Sequence, residues 1–236
     1  MRGERQLLLT CEHGGNEVPA AYADLFRGRD ALLPTHRGYD IGALELARRL
    51  AAELEAPLLA ATVTRLLVDL NRAPHNRRSL FSELTRHLPA ADKAELLARH
   101  YHPYRDEAAR RIQALLDEGR QVLHLAVHSF TPELHGEVRN ADLGLLYDPA
   151  RPLEAEFCRA WQERLQHLAP TLRVRRNYPY RGASDALVTW LRRRLPAEGY
   201  LGLELEVNQA LALAGGATWK ALPRLLAASL RGLPSG

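Results

Sequence analysis

Cysteine is almost missing from this 236-residue chain: Cys11 and Cys158 are the only two, and neither belongs to a Cys-x-x-Cys pair. Two cysteines cannot build a disulfide framework, which excludes a small stapled secreted fold. The chain also lacks any apolar run near the roughly 18 residues that a membrane span needs. After Arg2 and Arg5 the apolar stretch runs only from Leu7 to Leu9, too short for a signal-peptide core. A reduced, cytoplasmic setting is expected. Lysine is scarce as well, with Lys93 and Lys220 its only instances, so the basic charge is carried by arginine. Lys+Arg number 32 against 28 Asp+Glu, and a net charge of +4 is too small and dispersed to imply nucleic-acid binding. It leaves arginines free for small anionic ligands.

What is present is ordinary globular composition, 46% hydrophobic and 25% charged. A chain of this length buries about 70% of the surface its unfolded form exposes, so neither metal nor disulfide is needed for folding alone. One domain spanning residues 1–236 is expected, without repeats or low-complexity linkers.

Strands alternate with helices along the chain. Gln6–Thr10 reads as a buried first strand and Asp40–Glu55 as a helix closed by Pro57. Leu58–Leu70 reads as one bent strand or two short ones. A long helix is expected over Asp92–Asp117, with His102-Pro103 as a break or kink. Gln121–Val127 should be a central strand ending at His128, and Leu143–Tyr147 a short one. Helix Leu153–Leu168, strand Leu172–Arg175 and helix Asp185–Leu195 follow, the last capped by Ser184. Strand Tyr200–Val207 and a helix over Thr218–Leu230, interrupted near Pro223, close the chain. This pattern predicts an α/β fold, a three-layer sandwich around a mostly parallel, mixed sheet.

In such sheets ligands gather at the carboxyl ends of the strands. The first strand runs into Glu12-His13-Gly14-Gly15, the central one into His128-Ser129, and the late one ends at Glu204-Leu205-Glu206. Two histidines and a glutamate on one edge are the ingredients of a catalytic zinc site, and Asp40 is the leading third ligand. Each residue also has a structural alternative. Asp40 fits the N-cap of its helix, His13 a turn, His128 a hydrogen-bonded core position, and Glu206 an arginine pair. The two glycines would let the backbone turn sharply and bring amides to a ligand. No phosphate-loop pattern follows them.

Several ordered blocks then resemble a known family. Cys11-Glu12-His13-Gly14-Gly15-Asn16, His36-Arg37-Gly38-Tyr39-Asp40, Arg65–Arg72, His128–Pro132, Gly144–Asp148 and Asn177-Tyr178-Pro179-Tyr180-x-Gly182 look like N-formylglutamate amidohydrolases. The resemblance implies a fold similar to zinc-dependent exopeptidases, with His13, Asp40 and His128 as ligands of one zinc ion and Glu206 as base. It further implies hydrolysis of the formyl amide of an N-acylated acidic amino acid, giving glutamate and formate, and a place in histidine catabolism. Two positions depart from the related patterns. Asn16 stands where carboxypeptidases carry an acidic ligand, so that role passes to Asp40, with Asp69 as substitute. Asn208 stands just after the late glutamate, where many family members have arginine.

A substrate with two carboxylates calls for arginine forks. Asn71-Arg72 is the first choice, resembling the paired Asn-Arg that holds a terminal carboxylate in carboxypeptidases; Arg139 and Arg181 follow. Asp69 is expected to orient arginines through a buried ion pair. The short basic clusters at 175–176 and 192–194 read as solvated surface. The competing functions are a zinc amidase or peptidase of the same fold acting on another acyl-amino acid or peptide, and a non-catalytic binder of an acidic metabolite.

Overall fold

A computed structural model describes residues 5–233 of the chain. In chain order it contains β1 (Arg5–Cys11), α1 (Ala43–Leu54), β2 (Leu58–Ala60), α2 (Arg77–Leu80), α3 (Ala90–Leu96) and α4 (His102–Asp117). The central strand β3 (Gln121–Phe130), the minimal hairpin β4 (Glu133–Leu134) and β5 (Glu137–Val138), β6 (Leu143–Leu146) and α5 (Pro152–Leu168) follow. The chain then forms β7 (Val174–Arg176), α6 (Leu187–Arg192), β8 (Tyr200–Asn208), α7 (Gln209–Ala214) and α8 (Ala217–Arg231).

The main sheet has the order β2-β1-β3-β8-β6-β7. Its first four strands are parallel, β6 runs antiparallel to β8, and β7 is parallel to β6. One face packs on α1, α5 and α8 through Leu9, Leu125, Leu203, Leu46, Trp161 and Leu226. The other carries Leu8, Val122 and Tyr200 and is covered by α4 and α6. The three-layer α/β sandwich is therefore present as expected, and its sheet is mixed.

Strand periodicity explains how a polar site can grow from so apolar a sheet. On β8, Leu201, Leu203, Leu205 and Val207 enter the first core. The alternate residues Gly202, Glu204, Glu206 and Asn208 face the other way, because successive side chains of a strand point to opposite sides. On β3, Leu123, Leu125 and Val127 alternate in the same manner with His124, Ala126 and His128. The parallel register sets His128 directly opposite Glu206.

Several expectations are corrected. Only Leu58–Ala60 of the 58–70 segment joins the sheet, with a single further bridge from Val63 to Glu17. Leu66, Leu67 and Leu70 instead bury in the second core from turns, and the Asp69 amide donates to Leu80 O at 2.9 Å. A short apolar run does not reveal which of these it will do. The 92–117 helix does not end at His102-Pro103: a π turn, Leu97–Tyr101, joins α3 to α4 just before the proline, an irregularity that accompanies the amide missing at Pro103. Ser184 does not cap α6, whose N-cap is Ala186 without a side-chain bond; its carbonyl accepts from Thr189 Oγ1. Arg192 is buried rather than solvated, bonded through Nε to Glu154 Oε1 at 3.1 Å and through Nη1 to Gly182 O at 2.5 Å. Pro223 lies inside α8 without ending it.

Candidate active site

Three chain segments deliver the centre of the site. His13 follows β1, Asp40 precedes α1, and His128 lies near the end of β3. The Asp40 amide donates to His13 O at 2.9 Å, which ties the first two segments together. Asp40 is not the cap of α1. That position belongs to Gly42, whose φ of 82° is left-handed and suits glycine. The Asp40 carboxylate is thereby free to face the histidines. Its Oδ2 lies 3.3 Å from His13 Nδ1 and 2.9 Å from His128 Nδ1. All three side chains are buried, with potential ligand atoms within 4.8 Å of one another.

The far sides of both imidazoles meet carboxylates. His13 Nε2 is 2.7 Å from Asp69 Oδ1, and His128 Nε2 is 3.0 Å from Glu12 Oε2. Each imidazole therefore has carboxylate oxygens at both ring nitrogens, with Nδ1 turned to the shared Asp40 Oδ2 at the centre and Nε2 to Asp69 or Glu12 behind it. Carboxylates behind ligating histidines orient them and raise their basicity. Glu12 is itself fixed by Tyr104 Oη at 3.1 Å. Burial works to raise its pKa, but the hydrogen bond and charge of His128 outweigh this and hold it at about 2. For His128, burial opposes protonation and the bonds to Asp40 and Glu12 overcome it, so its pKa is raised. Burial likewise favours a neutral Asp40, against which the charge of His13 and the bonds to both histidines keep it low.

Asp69 forms a buried ion pair with an arginine, as expected, and the arginine is Arg65. Arg65 Nη2 donates to Asp69 Oδ2 at 2.7 Å and Nη1 to Asp40 Oδ1 at 3.1 Å. Arg65 was not singled out from the sequence, since its contact with Asp40 spans 25 residues.

The cluster opens on a cavity of about 350 Å³ lined by Arg65, Asn71, Arg72, Tyr180, Arg181 and Glu206, among others. Glu206 Oε2 is buried without a hydrogen-bond partner among the described residues. Burial pushes its carboxyl up to about 8, with the charge of His128 acting the other way. Glu204, in the same wall, accepts from Asn71 Nδ2 at 3.0 Å. The Asn71 side chain is fully engaged, since its Oδ1 also accepts from the Leu187 amide at 2.7 Å. Arg72 Nη1 donates to Asp185 O at 2.9 Å, while its carbonyl is clamped by Tyr101 Oη at 2.6 Å from the π turn. The buried Arg105 holds the same loop at Leu70 O, 2.8 Å away.

Arg181 lines the cavity from an exposed position. Arg139 stands behind Tyr180 rather than in the wall, donating to its hydroxyl at 2.9 Å and lying 5.0 Å from its ring centre. Tyr147 and Asp148 are not among the lining residues. The Asn208 side chain donates to Ala141 O at 2.8 Å and caps α7 through the Ala210 amide, so the residue following the late glutamate pair serves the strand end. Gly14 and Gly15 are required by close approach of Ala61 and Thr62, whose carbonyl oxygens would lie 2.8 and 2.4 Å from a Cβ. The Gly14 amide donates to Ala61 O at 3.0 Å and is unavailable to a ligand.

An α/β sandwich with a buried His–Asp–His cluster and further carboxylates on the carboxyl edge of its parallel strands has the architecture of a hydrolase. The chain belongs to the N-formylglutamate amidohydrolase family, whose model matches residues 5–213. It is therefore a member of a family of amide hydrolases. Its structure is similar to that of a gene product from Agrobacterium tumefaciens, with 28% identity and a TM-score of 0.78 over 96% of this chain and 90% of that one. It also shares its fold with an N-formylglutamate amidohydrolase from Ralstonia eutropha, at 20% identity and a TM-score of 0.72 over 97% of this chain and 93% of that one. None of the curated protein sequences matches the chain. Among the described residues no helix is long and apolar enough to cross a membrane.

Proposed function

We propose that the protein hydrolyses the formyl, or another small acyl, amide of an N-acylated acidic amino acid, with N-formylglutamate as reference substrate and zinc as cofactor. The observation that carries this reading is the convergence of His13 Nδ1, His128 Nδ1 and Asp40 beside Glu206, whose Oε2 has no hydrogen-bond partner among the described residues. Two imidazole nitrogens and one carboxylate oxygen are a usual catalytic zinc donor set, and the Nε2–carboxylate contacts are its usual support. The residues present therefore fit the metal.

Bound there, a divalent ion supplies Lewis acidity to the attacking water and the amide carbonyl. Glu206 takes a proton from that water and passes it to the amine nitrogen as the C–N bond breaks, releasing the acid and the free amino acid. Nearby positive charge lowers a carboxyl pKa, which brings a carboxylate raised by burial back into the range of a base. Arg65 adds fixed positive charge beside the carbonyl oxygen, where negative charge develops. Arg72 and Arg181 meet the substrate carboxylates, and Arg139 serves by holding Tyr180. Asn71 positions Glu204 and His128. The arginine-rich wall also supports a small anionic substrate over a cell-wall peptide.

The deciding experiment is a hydrolysis panel of N-formyl, N-acetyl and N-succinyl amino acids after chelation, with and without zinc. Turnover of acidic N-acyl substrates restored by zinc is the expected result. A folded protein that binds no zinc and cleaves none of them would instead be a binder of acidic metabolites.

A further inference from the structure

Beside the main cavity, a smaller one of about 80 Å³ is also lined by Tyr180. The two share Asp40, Arg65, Ser129 and Tyr180, while Arg72 and Arg181 line only the larger. The side cavity adds His36 from the segment before α1, Thr131 from the loop after β3 and Leu134 from β4 of the hairpin.

Its polar groups are arranged as donors. Arg139 Nη1 donates to both Thr131 Oγ1, at 3.3 Å, and Tyr180 Oη, at 2.9 Å. A hydroxyl that accepts from a guanidinium keeps its own hydrogen to give away. Neither hydroxyl has a protein acceptor among the described residues. Arg65 contributes positive charge to the same wall. The single carboxylate there, Asp40, has Oδ1 held by Arg65 and Oδ2 turned to the histidines, so it does not repel an anion freely. Ser129 and Gln209 are bonded to each other at 3.1 Å and frame the base. A water occupies about 30 Å³ of liquid, so the space admits a group of two or three heavy atoms.

We propose that this side cavity is the acyl subsite and holds the small carboxylate released by hydrolysis, formate in the reference case. It rests on the amide-hydrolase reading above. With the amide carbon at the histidine cluster, the amino acid extends toward Arg72 and Arg181; an acyl chain longer than formyl points past Asp40 to Thr131 and Tyr180, and formate, whose carbon is the amide carbon itself, moves there once the C–N bond has broken. Hydrogen bonds to a charged acceptor are the stronger kind, which suits two hydroxyls oriented by a buried arginine.

The test is a titration of the full chain, chelated and then zinc-loaded, with ¹³C-formate followed by NMR line broadening, and separately with glutamate by calorimetry. Formate should bind the chelated protein. Thr131→Val should weaken it by about tenfold or more, since it deletes one charge-assisted bond. Leu134→Phe, which fills the space from the hairpin, should weaken it too, and glutamate affinity should be unchanged by either variant. The proposal is overturned if formate ignores both variants, if it binds only after zinc is added, or if glutamate is the ligand that Thr131→Val weakens. Failure of the reference reaction has a different signature, namely no hydrolysis of any N-acyl amino acid. Hydrolysis with formate indifferent to Thr131 removes the subsite alone.

Discussion

One oxygen of Asp40 is shared by two histidines: its Oδ2 stands 3.3 Å from His13 Nδ1 and 2.9 Å from His128 Nδ1. A carboxylate so placed holds both rings in the orientation a metal would require, and it leaves Asp69 and Glu12 to support them from behind.

That division of labour separates Asp40 from Asp69. Asp40→Ala should abolish zinc binding, measured by calorimetry against a competing chelator. Asp69→Asn, which keeps the shape but weakens the support of His13, should lower zinc affinity by about 10- to 100-fold. The reverse ranking would make Asp69 the ligand.

Glu206 lies outside the convergent set, so Glu206→Gln should retain full zinc content by elemental analysis. Its turnover should fall by about a hundredfold to ten-thousandfold, the usual contribution of a general base. Activity retained in this variant would transfer the role to Glu204.

Arg72 is half-buried, and its guanidinium is aimed by the Asp185 carbonyl. Arg72→Ala should raise KM for the acidic substrate by about 10- to 100-fold, with a smaller change in kcat. Arg181→Ala, at an exposed site, should do less. Steady-state kinetics on both variants decide whether either arginine holds a substrate carboxylate.

His124 gives a pH signature away from the reaction. It is fully buried between Thr10 Oγ1, at 2.8 Å, and Tyr200 Oη, at 2.7 Å. Burial lowers its pKa from 6.5 to about 4. The unfolded chain therefore binds the proton first, and the stability is present above pH 6.5 and lost as pH falls through about 4. Its share of the loss is about 3 kcal/mol at roughly 1.4 kcal/mol per pKa unit. Denaturant unfolding at pH 7 and pH 4 should show the decline, and His124→Gln should flatten this part of the slope.

Much of this site could be read from the chain because strand ends are local features. His13, His128 and Glu206 each follow or close an apolar run, and the rule that parallel sheets bind at their carboxyl edge brings them together. Asp40 was open to a capping role until the left-handed Gly42 took it. The residues that escaped notice act through long-range contacts. Arg65 is defined by Asp40 and Asp69, Glu12 by His128, and Tyr180 by an arginine 41 residues away in sequence. The mistaken strand over residues 65–70 has a similar origin. Its leucines satisfy the second core, and Arg105 holds the Leu70 carbonyl that a ladder would have used. Direction was equally hidden: nothing local to Leu143–Leu146 announces that it enters the sheet antiparallel to β8.

The alternation along β3 and β8 has a consequence for how this protein can change. Every chemically active side chain on these strands has a leucine or valine as its immediate neighbour, so the reading frame of the strand is also the frame of the chemistry. Substitutions can retune single groups while leaving the rest in place. A one-residue deletion within Leu123–Val127 or Leu201–Leu205 would turn His128 or Glu206 into the oil-like layer beneath α1, α5 and α8 and bring leucines to the cavity. Lineages of this fold are thus free to vary in loop length around the rim, while the two central strands can only be edited letter for letter.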